Sequence, residues 1–462
     1  MAGRGLPRGL TPLRHRGFRL LAGGQLTSNV GDALYMVALP WYVLAEHGGA
    51  LLLGTVLAAY GIPRTVLLAV GGQASDRWRP WTVMMAADTV RMVAVAALAV
   101  ATVSGPASAV VLVPIAVVLG AGEGLFLPGS MAIAPALLPG DDLQAGNALL
   151  AGGTQLATLA GPLVGGVIVA FFGPAPAFAI DAATFAVSAL TLVGVRATQR
   201  TAPGAAPAGQ PEPAAVALAD AGNPGPTLRS MLRSEPILQV GLLVTVAANL
   251  GSGGLGEVAL PSLAHGPLHS GAGGYGALIA ALGGGALVGT IVAGQARQAR
   301  RPLVVGTFAF LVAAVAMAAV PYVGSTVAVG LLIAVFGVME GFGNVVTITA
   351  VQRWAPPQVM GRLMGVLVLA SMGLFPVSVA LAGFVVHDLG PAPFFPFASA
   401  TLALAVLVAL TQRTWRDFGM APAATGSSDT SPPLETLTAL APADPGRDAP
   451  AAAPADTTDQ MP

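Results

Sequence analysis

Residues 54–80, GTVLAAYGIPRTVLLAVGGQASDRWRP, return as residues 276–302, GALIAALGGGALVGTIVAGQARQARRP, with eleven identities in twenty-seven positions at an offset of 222. Gly54, Gly61, Gly72, Gln73, Ala74, Arg79 and Pro80 reappear as Gly276, Gly283, Gly294, Gln295, Ala296, Arg301 and Pro302, so an apolar stretch followed by a short basic turn occurs twice. A shorter echo, Val37-Ala-Leu-Pro40, recurs as Val258-Ala-Leu-Pro261. Both copies run in the same direction. If an even number of membrane crossings separates them they share one orientation, so the chain is expected to be two parallel copies of one unit.

Membrane crossing follows from composition. The chain is 55% hydrophobic and 9% charged, against roughly a quarter charged for soluble domains. A hydrocarbon core about 30 Å thick needs roughly 20 apolar residues per helix. Twelve such stretches can be drawn, at 20–45, 50–72, 81–103, 107–129, 144–170, 174–195, 236–262, 272–296, 303–320, 326–349, 360–385 and 393–411. The N-terminal arginines followed by an apolar run imitate a signal peptide, but the run continues through Trp41 and Tyr42 and reads as an uncleaved first span.

Arginine placement tests the count, since every basic residue here is arginine. Arg4 to Arg19 precede span 1, Arg77 and Arg79 follow span 2, Arg196 to Arg233 follow span 6, and Arg297 to Arg301 follow span 8. Arg353 and Arg362 bracket the turn after span 10, and Arg413, Arg416 and Arg447 follow span 12. The alternate turns, near 46–49, 104–106, 171–173, 263–271, 321–325 and 386–392, contain none. The positive-inside rule then places both termini in the cytoplasm of a cell-membrane protein. The expected organisation is a cytoplasmic arm at 1–19, a six-helix bundle at 20–195, a cytoplasmic linker at 196–235, a second bundle at 236–411 and an acidic tail at 412–462. The linker, rich in alanine, proline and glycine, need not fold, and the tail's composition cannot bury a core.

Several function classes drop out. Zero net charge argues against a nucleic-acid binder, and no nucleotide loop, metal cluster or nucleophile arrangement suggests an enzyme or a cofactor. The absence of cysteine removes thiolate chemistry. His265 and His269 have i, i+4 spacing but sit in a Gly/Pro-rich exterior turn, so no metal is assigned.

Gly72-Gln-Ala-Ser-Asp76-Arg77-Trp-Arg79 fits G-x-x-x-D-R-x-x-R with the last arginine one position early, in the turn between spans 2 and 3. On this motif the chain resembles the major facilitator superfamily. Gly161-Pro162-Leu-Val-Gly165-Gly166 in span 5 resembles the G-P-x-x-G-G motif of that superfamily's proton antiporters. Gly31-Asp32-Ala-Leu, Ala38-Leu-Pro40, Asp141-Asp-Leu-Gln-Ala-Gly-Asn147-Ala and Phe178-Ala-Ile-Asp181-Ala-Ala-Thr-Phe185 are similar to its macrolide and siderophore exporter branch. The resemblance implies an all-α membrane fold of twelve helices in two pseudo-symmetric six-helix bundles, with spans 1, 4, 7 and 10 lining a central cavity. The usual arginine of the span 4 motif would fall at Ala116, so its proton-relay role does not carry over.

The motifs also have a physical reading. Gly72 permits close backbone approach, and Asp76 with Arg77 and Arg79 can form a latch at the cytoplasmic face. Gly161, Pro162, Gly165 and Gly166 bend a helix and offer a small-residue face to a neighbour. A charge inside the membrane costs about 2.5–3.5 kcal/mol even on insertion scales, so each one is a functional hypothesis. Asp32 falls near the midplane; Arg64, Asp88, Arg91, Glu123 and Glu340 fall in the cytoplasmic half. Asp88 and Arg91, at i and i+3, can satisfy each other. The resemblance implies that Asp32, Glu123 and Glu340, on spans that line the cavity in that superfamily, face it; they are then the candidates for proton coupling, with Arg64 pairing one of them. Glu123 and Glu340 share the context Gly-x-x-Glu-Gly, which reads as one device used twice. Asp181 and Glu257 are placed near the outer ends of their spans, where charge costs little.

The function expected is proton-coupled export of a hydrophobic small molecule such as an antibiotic, secondary metabolite or siderophore. The partners are then the lipid bilayer, the small-molecule substrate and protons, with the protein a monomer. An importer or facilitator of a polar solute would want more polar cavity residues than Asn29, Gln155, Asn249 and Asn344 provide. A non-transporting assembly protein would not need the gate motif and the midplane acid. The copies disagree in their charges: Asp32 maps to Gly253, Arg64 to Ala286, Asp76 to Gln298, Asp88 to Phe310 and Arg91 to Ala313. The first half is therefore expected to carry the coupling.

Overall fold

The computed structural model describes residues 8–200, 236–296, 300–354, 363, 366–367 and 369–418, without the side chains of 8–9, 69–76 and 199–200. Gly72 and Asp76 are thus described only as backbone, and Gln298, most of the linker and nearly all of the tail lie outside the described residues. A 3-10 turn over Arg8–Arg14 leads into α1 (Arg16–Ala45), followed by α2 (Gly49–Trp78), α3 (Pro80–Ser104), α4 (Ala109–Leu137), α5 (Gly140–Phe172) and α6 (Pro174–Arg200). The second half begins with α7 (Pro236–Ser252), which continues through a π-helical turn at Leu255–Ala259 and a final turn at Leu260–His265. Then come α8 (Gly271–Gln295), α9 (Pro302–Ala319), α10 (Thr326–Trp354), α11 (Phe375–Leu389), α12 (Pro391–Thr411) and the short α13 (Arg413–Arg416).

The helix boundaries follow from proline and glycine. Pro80, Pro174, Pro302 and Pro391 each open a helix, where a missing N–H has no consequence. Gly173 and Gly390 close α5 and α11 with φ of 80° and 85°, so the turn Gly-Pro is used at matching places in both halves. Eleven helices among the described residues are long and apolar enough to cross a membrane. The remaining long helix is α1, whose apolar run is diluted by Gln25, Thr27, Ser28, Asn29 and Asp32. It packs against both α5 and α6, which gives those polar groups protein neighbours in place of lipid.

Packing repeats between the halves. In the first, α1 lies on α5 and α6, α2 on α4, and α3 on α4 and α6; in the second, α7 lies on α11 and α12, α8 on α10, and α9 on α10 and α12. Across the halves, α2 meets α11, α5 meets α8, and α1 meets the end of α7. The largest apolar core runs through both halves, from Leu34, Val37 and Phe178 to Val258, Tyr275 and Phe395, at the end where the turns lack arginine. Toward the arginine-bearing end the core separates. Leu21, Trp81, Met84 and Leu192 form one cluster in the first half, and Ile237, Leu303, Phe310 and Trp415 form another in the second.

Trp415 anchors that second cluster. It is 1% exposed, and its indole N–H donates to Thr307 Oγ1 at 2.8 Å, tying α13 to α9. Trp415→Ala should cost about 3–5 kcal/mol through the lost packing. A thermal-stability assay on purified protein reads this, and an unchanged melting temperature would exclude the anchoring role.

Candidate functional site

The repeat's glycines mark where the halves touch. A Cβ on Gly54 would sit 2.9 Å from Gly383 Cα on α11, and one on Gly276 would meet the Pro162 carbonyl and lie 3.0 Å from Gly166 Cα on α5. Both crossings allow backbones to approach only because neither helix presents a side chain. The Gly-Pro-x-x-Gly-Gly segment serves this packing on two sides. Gly161 abuts Ala33 of α1, a Cβ on Gly165 would stand 3.3 Å from Leu34 Cα, and one on Gly166 would stand 2.9 Å from the Ala272 carbonyl of α8. Helix α5 remains helical through Pro162. Near the same end, Tyr275 donates its hydroxyl hydrogen bond to the Gly256 carbonyl at 2.9 Å and approaches the Met36 carbonyl at 3.3 Å. His265 packs edge-on against Trp41 at 5.3 Å, a contact between halves that gives that histidine a packing role.

Inside the first half the charges form two groups. Arg64 on α2 pairs with Glu123 on α4 at 3.0 Å, each side chain about one quarter exposed (23% and 24%). Glycine makes that pair possible: Gly120 abuts the Tyr60 carbonyl, and a Cβ on Gly124 would lie 2.6 Å from the Arg64 carbonyl. In the other group, Arg91 on α3 pairs with Asp32 on α1 at 2.7 Å, with Asp88 farther away at 3.9 Å. The i, i+3 pairing of Asp88 with Arg91 is thus the weaker of the two contacts. Asp88 is 0% exposed, and its nearest polar neighbours are Arg91 and the hydroxyl of Ser188 on α6. The Arg91 guanidinium also stacks on Phe185, 4.1 Å from the ring centroid.

Asp181 corrects the expectation that it lies where charge costs little. It is seven residues inside α6, roughly 10 Å at about 1.5 Å per residue, and is 1% exposed. It reaches α1 because Gly31 has no side chain; a Cβ there would meet both Asp181 Oδ1 and Thr184 Oγ1. It is within electrostatic range of Asp32, Arg91 and Tyr35, so three acids, Asp32, Asp88 and Asp181, lie near one guanidinium, the first two within 4.0 Å of it. The neighbouring glycine and aspartate, Gly31-Asp32, were the sequence signal for this contact. Glu257 is corrected likewise. It lies eight residues before the end of the last turn of α7, in the π-helical segment, half-buried and within electrostatic range of Arg64 and Tyr275.

Glu340 stands apart. It is half-buried on α10, and no ion pair or hydrogen bond engages it among the described residues. At the gate motif, Arg77 stacks over Trp78 at 5.8 Å, and Arg79 joins α2 to α3 with φ 60°. No group of three or more metal-ligating side chains occurs among the described residues.

Comparison with known proteins follows the same lines. A family model described as Major Facilitator Superfamily matches residues 21–378. The chain is 30% identical over 193 residues to "Multidrug efflux pump Tap" of Mycolicibacterium fortuitum, covering 39% of this chain and 47% of that protein. It thus spans about half the length of that curated relative. "Uncharacterized MFS-type transporter y4rN" of Sinorhizobium fredii is 27% identical over 406 residues, covering 85% of this chain and 94% of that one. Among solved structures, the nucleoside transporter NupG superposes with a TM-score of 0.63 at 13% identity, covering 85% of this chain and 98% of that one. At that identity the likeness shows the fold alone.

Proposed function

Because the chain belongs to the Major Facilitator Superfamily, and so is a multi-pass membrane transporter, we propose that it exports a hydrophobic small molecule in exchange for protons by alternating access. The partial match to Tap pumps supports export. The packing supports alternating access: the halves share a core at the arginine-poor end and have separate cores at the other. With arginines facing the cytoplasm, this conformation is closed outward, and one copy contains the whole path.

The observation that carries coupling is the Asp32–Arg91 pair. Arg91 is 6% exposed, whereas Asp32 is 38% exposed, so of the two the acid is the partner open to its surroundings. A proton arriving from the cavity neutralises Asp32 and removes the closest partner of Arg91. The guanidinium then turns to Asp88 and Asp181, which pulls α3 relative to α1. Loss of the proton to the opposite side restores the pair. Glu123 and Arg64 form the second element of the same kind, nearer the contact between halves. Gly72, Asp76, Arg77 and Arg79 serve as the cytoplasmic latch that opens and closes with each cycle.

Asp32→Asn keeps the volume and removes the carboxylate that pairs with Arg91. In everted vesicles it is expected to abolish substrate-dependent proton movement. Wild-type proton movement in that variant would remove Asp32 from the mechanism.

A further inference from the structure

The internal repeat builds one helix crossing twice and equips it differently each time. In the first half, α2 crosses α4 where a Cβ on Gly124 would lie 3.1 Å from Arg64 Cα, and one on Gly120 would lie 3.1 Å from Tyr60 Cα. In the second half, α8 crosses α10 where a Cβ on Gly341 would lie 3.0 Å from Ala286 Cα, with Gly337 against the Leu282 carbonyl. Ala286 and Leu282 are the repeat counterparts of Arg64 and Tyr60. Glu340 precedes Gly341 as Glu123 precedes Gly124. The backbone crossing that brings Glu123 to a guanidinium at 3.0 Å therefore recurs beside Glu340, with alanine at the position of the arginine.

A half-buried carboxylate in a membrane protein needs a cation or a proton. In the first half Arg64 supplies the cation from within the chain. In the second, the counterpart of Arg64 is Ala286, so this helix pair supplies no cation to Glu340. The geometry points to Glu340 as the recognition site for a positively charged group on the transported molecule, a guanidinium or protonated amine that takes the place of the missing side chain. This rests on the transporter reading and sharpens it, because the cargo becomes a hydrophobic molecule bearing one cationic group. It also divides the work: the paired acids of the first half respond to protons, and the unpaired acid of the second holds the cargo.

The test is equilibrium binding to the full chain in lipid nanodiscs, with empty nanodiscs subtracted. The probes are dodecylguanidinium and its uncharged counterpart dodecylurea, which share tail length and head shape. Wild type should bind the guanidinium at least about tenfold more tightly, the size of one charge-assisted contact. Glu340→Gln should erase that preference. Ala286→Arg should erase it too by restoring the pair found in the first half, where the matching crossing of α2 with α4 accommodates it. Arg64→Ala should do the reverse and create a second guanidinium site at Glu123. Retention of the preference in well-folded Glu340→Gln, or in Ala286→Arg, overturns the assignment; if both misfold, absence of the second site in Arg64→Ala does so. Binding needs no gradient, so failure of proton-coupled export with the preference intact overturns only the export reading. Export with no charge preference overturns only this one.

Discussion

Arg91→Met is expected to be the most damaging single substitution in the chain, abolishing transport and destabilising the first bundle. Among the described residues the guanidinium is the one base within 4.0 Å of both Asp32, at 2.7 Å, and Asp88, at 3.9 Å, and it is within electrostatic range of Asp181. Removing one partner of a buried ion pair costs about 3–5 kcal/mol, because the remaining charge loses its compensation. Here two of the three acids are almost completely buried, Asp88 at 0% and Asp181 at 1%. Methionine retains the length of the stem and an apolar contact with Phe185, so the loss isolates the charge. The measurements are the melting temperature in detergent and substrate export in a pump-deficient host. The double variant Arg91→Met with Asp88→Asn should recover part of the stability but none of the transport. If Arg91→Met alone melts like wild type, the three acids do not depend on it.

What was legible in the sequence and what was not divides along a physical line. The repeat and the arginine-free turns were sufficient to argue two parallel bundles, because a glycine at a close helix crossing leaves its mark at one position and a basic turn leaves its mark on one side. Gly54 and Gly276 show this: each recurs because each sits at a contact between halves. Partner choice was not legible. Asp88 is three residues from Arg91, so sequence alone favours that pair, yet Arg91 extends toward α1, whose distance from α3 is set by packing. Asp181 shows the same limit. Its position along α6 could be counted, but whether it faced lipid headgroups or α1 depended on Gly31 lying opposite. Glu123 and Glu340 were readable as one glycine device used twice. Only the crossing geometry shows that the first copy pairs with Arg64 and that the second meets no cation among the described residues.

Gly276→Leu is expected to drive the protein toward the conformation that opens at the arginine-poor end. The argument begins from the contact itself: a Cβ at 276 meets the Pro162 carbonyl and lies 3.0 Å from Gly166 Cα, and both are backbone that no rotamer change can move aside. Overpacking of this kind costs about 1–3 kcal/mol, and here the cost falls on the state in which α5 and α8 touch. A conformational equilibrium responds to that difference with a shift of about 5- to 150-fold. The chain has no cysteine, so a single reporter can be introduced at Ala272, which is 2% exposed in the first turn of α8 against Gly166. Maleimide labelling of Ala272→Cys should be slow in the parent and should accelerate in the Gly276→Leu background. Gly54→Leu, at the matching crossing of α2 with α11, should produce the same acceleration at a distance, because the two crossings must open together if each half moves as a unit. Gly294→Leu is the control from the same helix, since a Cβ there meets nothing within 4 Å. Equal labelling rates in all three variants would mean that the glycine crossings pack the halves without governing which end is closed, and the repeat would then be a folding device alone.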